Sequence, residues 1–144
     1  FFLGENGDGL INRELWFPKP GLLERLSERF DLSIFSGRLR YEAAITLKRF
    51  CPEFAFEPTV YADDVTHAKP HPEGLLKIQG MRPGHKLWYV GDTVDDARSA
   101  RAANVPFIGI AASTHKKRDE LVNLFEQEKA VAVIENVNEI EQVL

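Results

Sequence analysis

From residue 21 onward the sequence alternates between helical and strand periods of hydrophobicity, with glycine and proline at the switches. That alternation restricts the chain to an α/β architecture in which helices carry it back between parallel strands. Pro20 and Gly21 precede Leu22, Leu23, Leu26 and Phe30, which lie along one helical stripe. LSIFS at 32–36 reads as a buried strand ending at Gly37, and Leu39, Ala43, Leu47 and Phe50 form a second stripe closed by Pro52. A short strand is expected over 59–62. A helix then starts near Pro72 with Leu75, Leu76 and Ile78 on its buried side. LWYV at 87–90 is a continuous apolar run of the kind a parallel sheet buries on both faces. The next helix carries Ala97, Ala100, Ala102 and Ala103, small residues that let it lie close to the sheet. PFIGIA supplies a strand, Leu121, Leu124 and Phe125 mark a helix over 117–128, VAVI at 131–134 is a last strand, and Val137, Ile140 and Leu144 end on a short helix.

A length of 144 residues fits one domain, and 44% apolar residues suffice for a core. Lys plus Arg total 18 against 22 for Asp plus Glu, a formal charge of -4, so there is no electrostatic footprint for nucleic acid or an anionic membrane. Any basic site must be local. VPFIGIAA at 105–112 falls well short of the roughly 20 apolar residues that a membrane span needs. The lone Cys51 cannot form an internal disulfide, and the opening FFLGENGDGL lacks the features of a signal peptide. These readings fit a soluble, cytoplasmic protein.

Ligands of open parallel sheets sit outside the carboxyl ends of the strands, and three such ends carry useful groups. They are Ser36-Gly37-Arg38, Ala68-Lys69-Pro70 after the 59–62 strand, and Gly91-Asp92-Thr93-Val94-Asp95-Asp96. The expectation is that Ser36, Lys69 and Asp92 face one crevice. A serine hydroxyl beside the N–H groups of Gly37 and Arg38 suits phosphate oxygens, although Ser36 reads equally well as a helix cap. Lys69 stands among rigid prolines, which limit its swing and favour a fixed charge on a phosphate, although taken alone it reads first as a solvated surface lysine. Asp92 offers Mg²⁺ a hard oxygen ligand, or else closes a strand-end turn. Thr93-x-x-Asp96 fits a capping box, so Asp96 is structural or supports the metal, and Asp95 faces solvent or caps the same turn. His67, His71, His85 and Cys51 show no metal-ligand spacing; His71 is taken as a loop residue and Cys51 as packing. Arg38 touches substrate or faces solvent, Lys116-Lys117-Arg118 starts a helix, and Trp16 and Phe17 pack or line a cleft.

Ser36 after a strand, Lys69 in KPHPEGLL, and VGDTVDD opening an Ala-rich helix resemble motifs II, III and IV of the haloacid dehalogenase superfamily, in its phosphoglycolate-phosphatase-like branch (subfamily IA). The resemblance covers residues 20–144. It implies a Rossmann-like core with a mainly parallel sheet flanked by helices, Mg²⁺, and hydrolysis of a small phosphorylated metabolite through an aspartyl-phosphate. It gives Ser36 the phosphoryl oxygen, with Gly37 and Arg38 beside it. Lys69 becomes the neutralising and orienting cation, Asp92 the magnesium ligand, and Asp96 a support for the metal or its waters.

The same resemblance implies a first motif, DxDG, at the end of a central strand between the strands ending in Ser36 and Asp92. Asn6-Gly7-Asp8-Gly9 is the nearest match, and Asn6 lacks the carboxylate that attacks phosphorus. Residues 1–19 are therefore read as a cap remnant and hinge in preference to a degenerate first motif, with 20–144 as the core. The central strand and most of the helical cap are expected outside this sequence. Two other functions stay open: a non-catalytic module that binds a phosphate ligand or a protein partner, and a phosphoacceptor signalling domain. The latter ranks last, because its acceptor Asp is expected before the Ser/Thr and Lys.

Overall fold

The computed structural model describes residues 16–144. Five strands alternate with five helices: α1 (Leu22–Ser27), β1 (Ile34–Phe35), α2 (Arg40–Phe50), β2 (Thr59–Val60), α3 (Glu73–Met81), β3 (Tyr89–Gly91), α4 (Val94–Ala102), β4 (Phe107–Ile110), α5 (Arg118–Gln127) and β5 (Ala132–Ile134). Every expected strand is present and every pairing is parallel. The α/β Rossmann-like architecture is thus the one the alternating periods imply.

The strands form two pieces, β1-β2 and β3-β4-β5. In β4 the alternation of side chains sends Phe107 to one face and Ile108 to the other. Phe107 joins Leu75, Tyr89, Ala97, Ala100, Leu121 and Phe125 beneath α3, α4 and α5. Ile108 joins Leu22, Leu26, Ile134 and Ile140 on the α1 side. Both faces are covered, which is why β3 and β4 read as unbroken apolar runs.

Between β1 and β3 lies a cleft of about 850 Å³, walled by Ser33, Ile34 and Phe35 on one side and Trp88, Tyr89 and Val90 on the other. The hydrogen bonds show which backbone groups face it. Ile34 and Ser36 donate to Pro58 and Val60 on β2, and the Leu32 carbonyl accepts from Glu57. Alternation along the strand therefore turns the N–H and C=O groups of Ser33 and Phe35 toward the cleft. On β3, Tyr89 donates to the Pro106 carbonyl beside β4, which leaves those of Trp88 and Val90 facing the cleft from the other side.

Some boundaries move. The strand expected over 59–62 ends at Val60, and Ala62–Asp64 form a 3-10 turn because the Asp64 carboxylate accepts the Tyr61 N–H at 2.9 Å while pairing with Arg40. The last helix is a 3-10 segment, Val137–Gln142, started by Asn136 Oδ1 accepting from the Asn138 N–H. Residues 1–15, with Asn6, Asp8 and most of the proposed hinge, lie outside the described residues. Just after them, Trp16 stacks on Phe50 with ring centroids 5.4 Å apart. Lys19 N–H donates to Asn138 Oδ1 at 2.7 Å, and Asn138 Nδ2 donates to the Phe17 carbonyl at 2.9 Å.

Gly109 on β4 lies directly under α5, where an added Cβ would come within 2.4 Å of the Phe125 ring. Phe125 is fully buried and cannot yield. Gly109→Ala is expected to cost about 1–3 kcal/mol by overpacking, read as a lower urea midpoint in the full-length protein. An unchanged midpoint would show that α5 shifts freely.

Candidate active site

The site is built on one carboxylate. Asp96, in the first turn of α4, is 3% exposed, and its two oxygens take hydrogen bonds from two directions. Oδ2 accepts the backbone N–H groups of Asp92 (3.2 Å) and Thr93 (3.1 Å), while Thr93 Oγ1 accepts the Asp96 N–H (3.1 Å). This is the capping box expected from Thr93-x-x-Asp96, and it folds the turn that presents Asp92. Oδ1 accepts from Lys69 Nζ at 2.6 Å and from the Tyr89 hydroxyl at 2.8 Å. Gly91 permits the approach, since a Cβ there would meet the Asp96 carboxylate at 2.6 Å. Burial alone would raise the Asp96 pKa. The hydrogen bond and charge of Lys69, joined by Tyr89 and Thr93, outweigh it and hold the group below the ordinary carboxylate value.

Lys69 reaches this carboxylate from the loop after β2. Its Nζ also lies 3.3 Å from the Tyr89 hydroxyl and 5.0 Å from the Phe35 ring centroid. The loop is held at several points. Glu73 accepts the backbone N–H groups of Thr66 (2.9 Å) and His67 (2.7 Å), and the buried Ser99 hydroxyl of α4 donates to the His71 carbonyl at 2.9 Å. The sequence reading did not single out Tyr89, Ser99 or Glu73. Only the acidic residue after Pro72, at a helix start, carried a signal for the last of them.

Ser36 ends β1. Its Oγ accepts the Arg38 N–H at 3.2 Å, which commits that amide and leaves the hydroxyl proton to point elsewhere. The helix-cap reading of Ser36 gives way here, because α2 starts only at Arg40 after Leu39, and its first amides go to Glu42 and Asp63. Gly37 is exposed beside Ser36, and Arg38 Nη1 donates to Thr46 Oγ1 at 3.1 Å.

Asp92 is exposed, and its carboxylate has no hydrogen-bond partner among the described residues. That donor set fits Mg²⁺, which binds through one or two carboxylates and keeps waters and substrate phosphate as its other ligands. Asp96 does not offer a second direct ligand as readily, because its acceptor positions are already engaged. His67, His71 and Glu73 do meet, with ligand atoms within 4.8 Å of one another. Within the cluster His71 Nδ1 accepts the Glu73 N–H and His67 Nδ1 donates to Glu73 Oε2, each at 3.1 Å, so these contacts tie the loop to the start of α3.

The parallel α/β core thus places a hydroxyl, an anchored ammonium and an exposed carboxylate in the segments that follow β1, β2 and β3, on the side where open parallel sheets bind their ligands. Residues 19–110 match the family model of haloacid dehalogenase-like hydrolases, and the chain belongs to that family. It is 37% identical over 95 residues to the pyrophosphatase PpaX of Oceanobacillus iheyensis, a match covering 63% of this chain and 44% of the relative. It is 41% identical over 58 residues to the phosphoglycolate phosphatase of Salmonella typhimurium, covering 38% and 23%. Among solved structures it resembles a subfamily IA hydrolase from Geobacter sulfurreducens, with TM-score 0.68, 28% identity, and coverage of 94% of this chain and 64% of that one. A haloacid dehalogenase-like protein from Agrobacterium tumefaciens shares the fold at TM-score 0.72 and 22% identity, over 86% of this chain and 58% of that one. The chain thus spans less than two thirds of these relatives.

Asp96→Asn leaves Lys69 without its counter-charge in a half-buried position, and is expected to cost about 3 kcal/mol, measured by urea unfolding of the full-length protein. A loss under about 1 kcal/mol would show the pair to be peripheral. A second expectation concerns acid. The N–H groups of Thr66 and His67 lower Glu73 from 4.5 to about 2. A carboxylate depressed on folding stabilises the protein above its unfolded pKa, and that contribution fades as pH falls from 4.5 toward 2. Glu73→Gln should therefore flatten the loss of stability in that window. Parallel pH profiles for variant and wild type would contradict the assignment.

Proposed function

We propose that this chain is part of a magnesium-dependent phosphatase that hydrolyses a small phosphorylated metabolite. The attacking carboxylate comes from a strand seated between β1 and β3. The observation that carries this reading is the cleft itself: its two facing rows of backbone groups call for a parallel strand, and in sequence Ser36 directly follows β1 and Asp92 directly follows β3, so the carboxyl end of such a strand would lie between the chain segments that carry them. The relatives named pyrophosphatase and phosphoglycolate phosphatase support a small phosphorylated substrate.

The seated strand is carried outside residues 16–144, on an N-terminal segment ending in DxDG. It completes the sheet and delivers an aspartate in line with phosphorus. The aspartate oxygen bonds to phosphorus as the ester oxygen leaves with a proton from the second Asp of DxDG, giving an aspartyl-phosphate and a free alcohol; water then gives a proton back to that Asp, attacks phosphorus and releases inorganic phosphate and the aspartate. Ser36 donates its hydroxyl proton to a phosphoryl oxygen while its lone pair stays with the Arg38 amide. The reading gives the Gly37 amide and Arg38 a share in holding that oxygen. Lys69 balances the charge on the phosphoryl group and the aspartate. Asp92 would hold Mg²⁺, which when bound neutralises phosphoryl charge, and Asp96 acts behind it by shaping the turn and anchoring Lys69. Residues 1–19 serve as hinge to a cap and 20–144 as core. A cytoplasmic location belongs to the same reading and rests on the lone cysteine.

The experiment is phosphate release from a panel of phosphorylated metabolites by the full-length protein with Mg²⁺. Turnover is expected, with Lys69→Ala lowering kcat about 100-fold or more and Asp92→Asn greatly weakening the magnesium-dependent activity. Binding of phosphate esters without turnover would overturn the reading and mark a binding module.

A further inference from the structure

We infer that the Tyr89 hydroxyl is a positioning group for Lys69, fixing the rotation of its ammonium so that one N–H is aimed at the phosphoryl group. The inference rests on the phosphatase reading of the site and names a residue that this reading does not use.

Tyr89 is the first residue of β3 and is buried, its ring lying 5.8 Å from Phe35 and 5.9 Å from Phe107 between centroids. Its hydroxyl has one proton to give and lone pairs to receive. The proton goes to Asp96 Oδ1 at 2.8 Å, because an ionised carboxylate only accepts. A lone pair is then left for Lys69 Nζ at 3.3 Å. Burial and the neighbouring Asp96 charge push the Tyr89 pKa up, so the phenol keeps its proton and this polarity does not reverse.

An ammonium carries three protons on a freely turning Cε–Nζ bond. A single bond to Asp96 Oδ1 at 2.6 Å leaves the other two protons free to sweep a cone. A second acceptor removes that freedom. With one proton on Asp96 Oδ1 and one on the Tyr89 oxygen, the third has a single direction, away from both; the Phe35 and Tyr89 ring centroids lie 5.0 and 6.0 Å from Nζ. Orientation of this kind accelerates a reaction without tightening ground-state binding.

Tyr89→Phe keeps the ring packing and deletes only the acceptor, while Asp96 retains Lys69, Asp92 and Thr93 as donors. The test uses the full-length protein, wild type and Tyr89→Phe, with two readouts. The first is the 15N ammonium resonance of Lys69 at low temperature, assigned by its loss in Lys69→Arg. The wild type should give a slowly exchanging signal, and Tyr89→Phe should broaden it or shift it to that of a free lysine. The second is steady-state hydrolysis, where kcat should fall about 10-fold with KM changed less than 2-fold. If wild type hydrolyses nothing, the phosphatase reading fails and the ammonium signal alone decides the role of Tyr89. An ammonium signal identical in wild type and Tyr89→Phe overturns the inference, whatever happens to thermal stability. So does an unchanged kcat, or an equal loss in kcat and KM.

Discussion

The ion pair between Lys69 and Asp96 joins two pieces of the chain that backbone pairing does not join. Lys69 comes from the loop following β2, Asp96 from the helix following β3, and the two sheets share no ladder among the described residues. Asp96 spends one oxygen on this cation and on Tyr89, and the other on the amides that shape the Asp92 turn. The position of the lysine and the presentation of the exposed carboxylate are therefore not independent. A buried ion pair is a poor source of net stability, because desolvation offsets most of its attraction. Here it fixes geometry, and its surroundings reflect that: Gly91 gives the carboxylate room, while Phe35 and Tyr89 wall in the ammonium.

The loop that carries Lys69 is fixed in the same spirit. Glu73 gathers the Thr66 and His67 amides, and Ser99 reaches from α4 to the His71 carbonyl. Each of these bonds ties loop backbone to the start of α3 or to α4. The result is a cation held from both ends of its own loop.

The layout of the fold was legible because hydrophobic period is a local property. Each strand and helix appears near its expected place, and the Ser36, Lys69 and Asp92 strand ends follow directly from that. The Thr93-x-x-Asp96 box was equally legible, since it closes within one turn. Less legible was everything set by contacts distant in sequence. Nothing local reveals that Asp96 faces Lys69 across 27 positions, or that Tyr89 completes that pair. Ser36 reads as well for a helix cap as for a phosphate ligand until one knows that α2 begins four residues later, with Asp63 taking its first amide. His67, His71 and Glu73 are brought together by the path of the loop, which no ligand spacing announces.

The strongest constraint left by the structure is the pair of strand edges that face each other across the cleft. Buried amides and carbonyls demand partners, and a parallel strand seated there would satisfy both rows at once. The direct measurement is amide hydrogen exchange on the full-length protein, resolved at Ser33, Phe35, Trp88 and Val90. If a strand is seated between β1 and β3, these amides exchange as slowly as that of Ile108 in the middle of the sheet. Exchange at the rate of unprotected amides, with Ile108 still protected, would contradict the account.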